Sequence, residues 1–223
     1  MARYDGLADW YEDYISGTAS EFTAEAGAAL TRLLGRGVGR CLDVGCGTGV
    51  YIGQAAELGW SLTGVDISED QLRVARRRLD EQAELLCADA ARLPFASGSF
   101  DAVYAMMIHT DVPDIAEVFA EMGRVLTNGG RFVYVGTHPC FVAPFIARQP
   151  DETIVVHPGY LKVRRHDEGP GIGDGIRARV GAYHQPLSAL IGALPAAGLQ
   201  IDNIEELHGD PPRLLALGAR RAH

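Results

Sequence analysis

One short stretch, Leu42-Asp43-Val44-Gly45-Cys46-Gly47-Thr48-Gly49, restricts the fold more than any other part of this chain. The apolar run from Arg40 to Val44 is stopped by a Gly-x-Gly-x-Gly turn and gives way to helical spacing over about residues 50–58. A short, unalternating apolar run suits a parallel strand buried on both faces, and the glycines let a ligand approach the backbone where side chains would block it. The alternation continues with a strand over Ser61–Ile67. Ser68-Glu69-Asp70-Gln71 has the form of a capping box. It opens a helix to about Gln82, whose run Arg76-Arg77-Arg78 reads as a solvated face. Strands follow at 84–88 and 100–108, then a helix over 111–126 stopped by Asn128-Gly129-Gly130, then a strand at 131–136. Such an order predicts an α/β chain with a doubly wound, mostly parallel sheet and right-handed connections.

Beyond Thr137 the rhythm changes. Residues 138–159 carry four prolines and no clear period. Tyr160–His166 and Ile176–His184 alternate around a glycine-rich turn, which predicts a hairpin. A helix near 187–197 and strands at 199–207 and 214–219 complete the chain; the short Pro211-Pro212 link makes the last strand antiparallel. Residues 138–185 therefore read as a cover inserted into one domain spanning 1–223, with helical segments over 1–34 in front of it. The balance of 47% hydrophobic and 22% charged residues excludes a disordered chain. A net charge of −9 gives no bulk attraction to nucleic acid or anionic membrane. With no long apolar run and an acidic, aromatic start, the expectation is a soluble cytoplasmic protein, monomer or homodimer. The four cysteines form no Cys-x-x-Cys pair and read as reduced thiols, and no cluster has metal-ligand spacing.

The glycine turn gains meaning from its acidic neighbours. Asp66 closes the next strand about 20 residues past the first glycine, where an acid can accept both hydroxyls of a ribose. A dinucleotide fingerprint would need glycine where Val50 stands, and a phosphate loop would need a lysine that Thr48-Gly49-Val50 lacks. No basic residue occurs from Cys41 through Leu72, and Asp43 would repel a diphosphate. The pocket suits a ribose-bearing cation without phosphates.

LDVGCGTG, GVDIS, CADAARLPF, FDAVYAMMIHT and NGGRFVYVG, in that order, resemble the motif series of class I S-adenosylmethionine (SAM)-dependent methyltransferases. The resemblance is to the type 11 branch, which includes the ubiquinone/menaquinone-biosynthesis enzymes and many small-molecule methyltransferases. It implies a seven-stranded Rossmann-like sheet, an N-terminal helical lid and SAM as cofactor. It also implies that Gly45, Cys46 and Gly47 lie against the amino-acid part of the cofactor, supported by Asp43. Asp66 would hold the ribose, Ile67 would pack on adenine, and Asp89 would accept from the adenine amino group beside the Ala90 amide. Met106 would line the cofactor, and Tyr11 of the lid would reach its carboxylate. Tyr4, Trp10, Tyr11 and Tyr14 of that segment read equally as helix packing.

Methyl transfer needs an electron-rich atom held in line with the methyl group. A hydroxyl acceptor gains from a histidine base, which would leave an acidic limb near the ordinary histidine range. His109 and His138 follow the fourth and fifth strands at the end that faces ligands in such sheets, and His184 ends the inserted hairpin. These three are the candidate catalytic residues. Asp111 would pair with His109 or cap the following helix. The expected reaction is transfer to a small-molecule hydroxyl. Carbon or nitrogen transfer, or a non-catalytic nucleoside-binding role, are the alternatives, and an NAD(P) oxidoreductase is disfavoured by Val50.

Overall fold

The computed structural model describes residues 2–151 and 153–223. Two helices, α1 (Ala8–Ser16) and α2 (Ser20–Leu34), precede the alternating region. That region runs β1 (Gly39–Val44), α3 (Ile52–Glu57), β2 (Trp60–Asp66), α4 (Glu69–Leu79), β3 (Ala83–Cys87), β4 (Phe100–Met106), α5 (Ile115–Val125) and β5 (Leu126–Thr137). The cover holds β6 (Ile146–Arg148), β7 (Ile154–Val156), β8 (Arg164–His166), α6 (Ile176–Val180) and β9 (Ala182–His184). It is followed by α7 (Leu187–Ala196), β10 (Leu199–Leu207) and β11 (Leu214–Arg221). Seven strands form one sheet in the order β10-β11-β5-β4-β1-β2-β3. β11 pairs antiparallel with both β5 and β10, and the other neighbours are parallel. This is the doubly wound, Rossmann-like sheet that the sequence predicts.

The central strands are apolar on both faces because each face is covered. Leu42, Val44, Val103 and Tyr134 pack with α5 and α7 on one side. Cys41, Ala102, Tyr104 and Val133 pack with α2, α3 and α4 on the other. The chain reverses strand order between β1 and β4, so the crevice for a ligand opens at their C-terminal ends. Among the described residues, no helix is long and apolar enough to cross a membrane.

Several local expectations need correction. Only half of the capping box forms: Ser68 Oγ accepts from the Gln71 amide at 3.3 Å, but the Ser68 amide donates to Asp66 rather than to Gln71. α4 ends at Leu79, where Asp80 turns left-handed at φ 42°. α5 starts at Ile115, capped by Asp114, whose carboxylate accepts from the Ala116 amide at 2.8 Å; Asp111 is not the cap. The helix does not run to Asn128-Gly129-Gly130. It stops at Val125 because Leu126 already pairs with Phe100, and the glycine turn becomes a bulge between that pair and Ala102–Arg131. In the cover, the hairpin exists only as β8 against β9 (Arg164 opposite His184), and 176–180 is a short helix between Gly175 and Gly181. Ile176 and Val180 are apolar at both strand and helix spacing, and the flanking glycines favour the helix. A second small hairpin, β6–β7, lies in the segment read as irregular.

Candidate active site

The site begins where β1 runs out. The amides of Gly45 and Cys46 both donate to the Val65 carbonyl, at 2.8 and 2.9 Å, folding the glycine turn over the end of β2. Gly45 sits at φ +75°, and a Cβ there would come within 3.0 Å of the Ile108 side chain. Gly49 is left-handed too, at φ +74°, with Leu79 and Ala75 of α4 where a Cβ would stand. The turn is thus both conformationally and sterically reserved for glycine.

Asp66 fixes the turn from the neighbouring strand. Its Oδ2 accepts from the Gly47 amide at 2.9 Å and its Oδ1 from the Ser68 amide at 2.8 Å. Burial pushes its pKa up to about 6, against the lowering effect of those two amides. Asp43 lies deeper, at 1% exposure, and neither carboxylate oxygen has a hydrogen-bond partner among the described residues. The nearby Tyr104 hydroxyl lowers the carboxyl's pKa but does not reach hydrogen-bond geometry. Burial raises that pKa to about 8, and the charge of Asp66 adds to the rise. A buried carboxyl without a partner is costly, and here it forms the floor of a cleft.

Tyr11, Asp43, Gly45, Cys46, Gly47 and Met106 line that cleft together, as does Met107. Asp66 reaches it through the Gly47 amide. Ile67, Asp89 and Ala90 sit further along the strand ends, outside the lining. Ile67 is 60% exposed although apolar, and Asp89 Oδ1 accepts from the Ala91 amide at 2.9 Å. Among the described residues, no cationic side chain lines the cleft. The unpartnered Asp43 oxygens, the Asp66 carboxylate and the exposed Ile67 fit a ligand with a cationic group, a ribose and a flat apolar base. A roomier hollow of about 320 Å³ lies between α2 and β10–β11. Arg32, Arg131 and Arg220 on its walls are already bound to Glu205, to backbone carbonyls and to Asp202, and it holds none of the groups above.

The cleft has only about 40 Å³ of free space, far below the roughly 300–1,000 Å³ of small-molecule sites. The lid accounts for this. α1 lies across α4, with Asp9 paired to Arg73 (2.6 Å) and Arg77 (2.5 Å) and Glu12 paired to Arg78. The amides of Gly6 and Ala8 donate to Asp70, and Ser68 Oγ donates to Asp5 at 2.7 Å. Arg77 and Arg78, on the solvated face that the sequence predicts, also pair with the lid. The acidic residues of α1 at positions 9 and 12 were the available signal. Tyr11 is carried over the glycine turn, edge-on to Tyr4 at 5.6 Å, and burial pushes its hydroxyl pKa up to about 12.

The three candidate histidines are all buried, but in different settings. His109 lies in a single helical turn after β4, with Nδ1 2.5 Å from the Tyr134 hydroxyl. Its carbonyl accepts from Gln185. Burial lowers its pKa to about 3, helped by the Arg177 charge. His138 has both nitrogens engaged: Nε2 donates to Glu206 at 2.7 Å and Nδ1 accepts from the Cys140 amide at 3.2 Å. His184 Nε2 donates to the Tyr160 carbonyl at 2.6 Å, with the ring edge-on to Phe145; burial lowers its pKa as well. None of the three lines the cleft. Asp111 does not pair with the His109 ring; it binds Tyr4 and Arg177.

The fold and site together resemble those of class I SAM-dependent methyltransferases. Residues 42–134 match the family described as a methyltransferase domain, Methyltransf_11. It is 36% identical over 135 residues to the O-methyltransferase cnsE of Penicillium expansum, covering 56% of this chain and 48% of that protein. It is 35% identical over 147 residues to the 27-O-demethylrifamycin SV methyltransferase of Amycolatopsis mediterranei, covering 57% of this chain and 54% of that one. The sterol 4-C-methyltransferase strm-1 of Caenorhabditis elegans is 32% identical over 98 residues, covering 42% of this chain and 29% of its own. This chain thus spans about half or less of the length of these relatives. Among solved structures, a SAM-dependent methyltransferase from Mesorhizobium loti superposes with a TM-score of 0.71 at 27% identity, over 87% of this chain and 96% of that one.

Proposed function

We propose that this chain transfers a methyl group from SAM to a small-molecule acceptor, at a hydroxyl oxygen. The observation that carries the reading is the cleft over the glycine turn, which has a buried carboxyl at its floor and no cation in its lining. When bound, the cofactor supplies an electrophilic methyl group on a cationic sulfur. Asp66 uses its remaining lone pairs for the ribose hydroxyls, while the glycine turn leaves its backbone open to the amino-acid part. Asp43 provides the countercharge below. Ile67 offers an apolar face to adenine, and Asp89 with the Ala90 amide meets its polar edge. Met106 flanks the cofactor, and Tyr11 closes over it to exclude water. A relative named as an O-methyltransferase, and another named for a 27-O-demethyl substrate, support an oxygen acceptor. The sterol 4-C-methyltransferase among the relatives favours carbon as the second reading.

In this reading His109 orients the acceptor rather than titrating. Tyr134 holds its Nδ1, leaving Nε2 to accept the hydroxyl's hydrogen bond, and a pKa near 3 keeps the ring neutral throughout the working range. His138 and His184, tied to Glu206 and to the Tyr160 carbonyl, shape the cover. The test is incubation with methyl-labelled SAM and a panel of alcohols, phenols, amines and activated carbon acids, followed by mapping of the label. Label on oxygen is expected; label on carbon or nitrogen would replace the acceptor assignment. Failure to bind SAM or S-adenosylhomocysteine (SAH) would refute the function itself. With the acceptor in hand, His109→Ala should lower turnover about tenfold, the loss of one hydrogen bond. The parent's rate should show no His109-dependent limb between about pH 5 and 8. An acidic limb near pH 6.5 that the substitution abolishes would restore a titrating base.

A further inference from the structure

Asp111 stands where three separate segments meet. It follows β4 by one short turn, and its carboxylate faces the lid on one side and the cover on the other. From the lid, the Tyr4 hydroxyl donates to Oδ1 at 3.1 Å, and the Arg3 guanidinium binds the Asp111 carbonyl and lies 3.8 Å from Oδ1. From the cover, Arg177 of α6 reaches both oxygens, at 2.7 and 3.3 Å. Arg3 also crosses directly to the cover, donating to the Val180 carbonyl at 3.2 Å and lying over the Tyr183 ring at 5.1 Å. The three charged side chains are only 19–24% exposed. They are thus screened less than surface pairs, and a lost partner leaves a half-buried charge uncompensated. Without the carboxylate, Arg3 and Arg177 would face each other as like charges.

We infer that Asp111 is a positioning residue that joins the lid to the cover, so that the closed position of each steadies the other over the glycine turn. This rests on the proposed function only in taking the cleft as the cofactor's place. The narrow cleft requires α1 to move aside before a nucleoside-sized ligand can enter. When α1 moves, it carries Arg3 and Tyr4 away, so α6 loses the Arg3 bond at Val180 and keeps only the Arg177–Asp111 pair. The cover is held more loosely until the lid returns. Taking the cover as the wall of the acceptor site, its steadying after the cofactor is enclosed favours cofactor-first binding.

Two measurements on the full chain test this. The first is amide hydrogen exchange across 176–184, without any ligand, in the double variant Arg3→Gln/Tyr4→Phe. These substitutions touch only the lid, yet exchange in α6 should accelerate. The second is the dissociation rate of SAH from Arg177→Met, which alters only the cover. Release should quicken about 5–150-fold, the usual range for coupled sites, although Arg177 lines no part of the cleft. Asp111→Asn should show both effects. If it does not fold, the two flanking variants still decide. Faster exchange confined to the mutated segment, or unchanged SAH release from folded Arg177→Met, would overturn the coupling. A parent chain that does not bind SAH would refute the proposed function, while the ligand-free exchange arm would still decide whether lid and cover are linked.

Discussion

Replacing Asp66 by alanine is expected to weaken SAH binding by two to four orders of magnitude, one of the two largest effects of any single substitution in this chain. Each charge-assisted hydrogen bond to the ribose contributes roughly 1.5–3 kcal/mol, and the proposed geometry has two. The same carboxylate also holds the Gly47 and Ser68 amides, so its removal frees the glycine turn from the start of α4. Asp66→Asn separates the two contributions. One oxygen survives as an acceptor, but the amide nitrogen would meet the N–H of Gly47 or Ser68, so one backbone bond must break. Its affinity should fall between those of the parent and the alanine variant. Calorimetric titration with SAH measures all three. A folded Asp66→Ala variant that binds SAH as the parent does would remove this residue from the cofactor site.

The legibility of Asp66 differs from that of Asp111, for a physical reason. Asp66 belongs to a local pattern: a strand end, a glycine turn and about 20 residues between them, all fixed by one strand–helix–strand unit. The sheet, the glycine turn and the candidate cofactor residues along it could be read from the sequence because each is set by neighbours close in the chain. Asp111 binds Tyr4 and Arg177, more than 60 residues away on either side, and no local period records such a contact. Asp111 and Asp114 are the same residue type three positions apart, and only the backbone makes Asp114 the cap. The cover was hardest to read because its elements are short. Ile176–Val180 carries too few residues for strand and helix spacing to differ. The histidines expose a second limit. Their positions after strands were visible, but not their burial. It is burial against Tyr134, rather than position, that brings the His109 pKa to about 3.

Asp43→Asn should move stability and cofactor affinity in opposite directions, which distinguishes a ligand countercharge from a packing residue. In the free protein the Asp43 carboxyl keeps its proton up to about pH 8, whereas unfolded it ionises near 3.8. Its contribution to stability is thus fully present below the unfolded value and is lost as pH rises through 8. The loss is about 1.4 kcal/mol per pH unit. Asp66, raised to about 6, gives a similar slope that ends lower. His109 acts in the opposite sense: its depressed pKa gives stability that is present above about 6.5 and lost in acid. Between about pH 6.5 and 8, therefore, Asp43 dominates the slope among these three groups. In that window the parent should lose stability relative to Asp43→Asn, by on the order of 2 kcal/mol, in denaturant titrations at matched pH. Binding reverses the sign, because a cation above Asp43 favours the ionised form. The parent's affinity for SAM, relative to the variant's, should rise up to tenfold per pH unit until about pH 8 and then level off. The ligand's own amino group titrates in the same range, but it does so against both proteins and cancels in the ratio. Above pH 8 the variant should bind SAM about 10–150-fold more weakly, the value of one charged hydrogen bond. If the affinity ratio stays flat while the stability difference appears, Asp43 ionises without meeting the cation. The countercharge of the sulfonium and ammonium groups must then be sought elsewhere in the cleft.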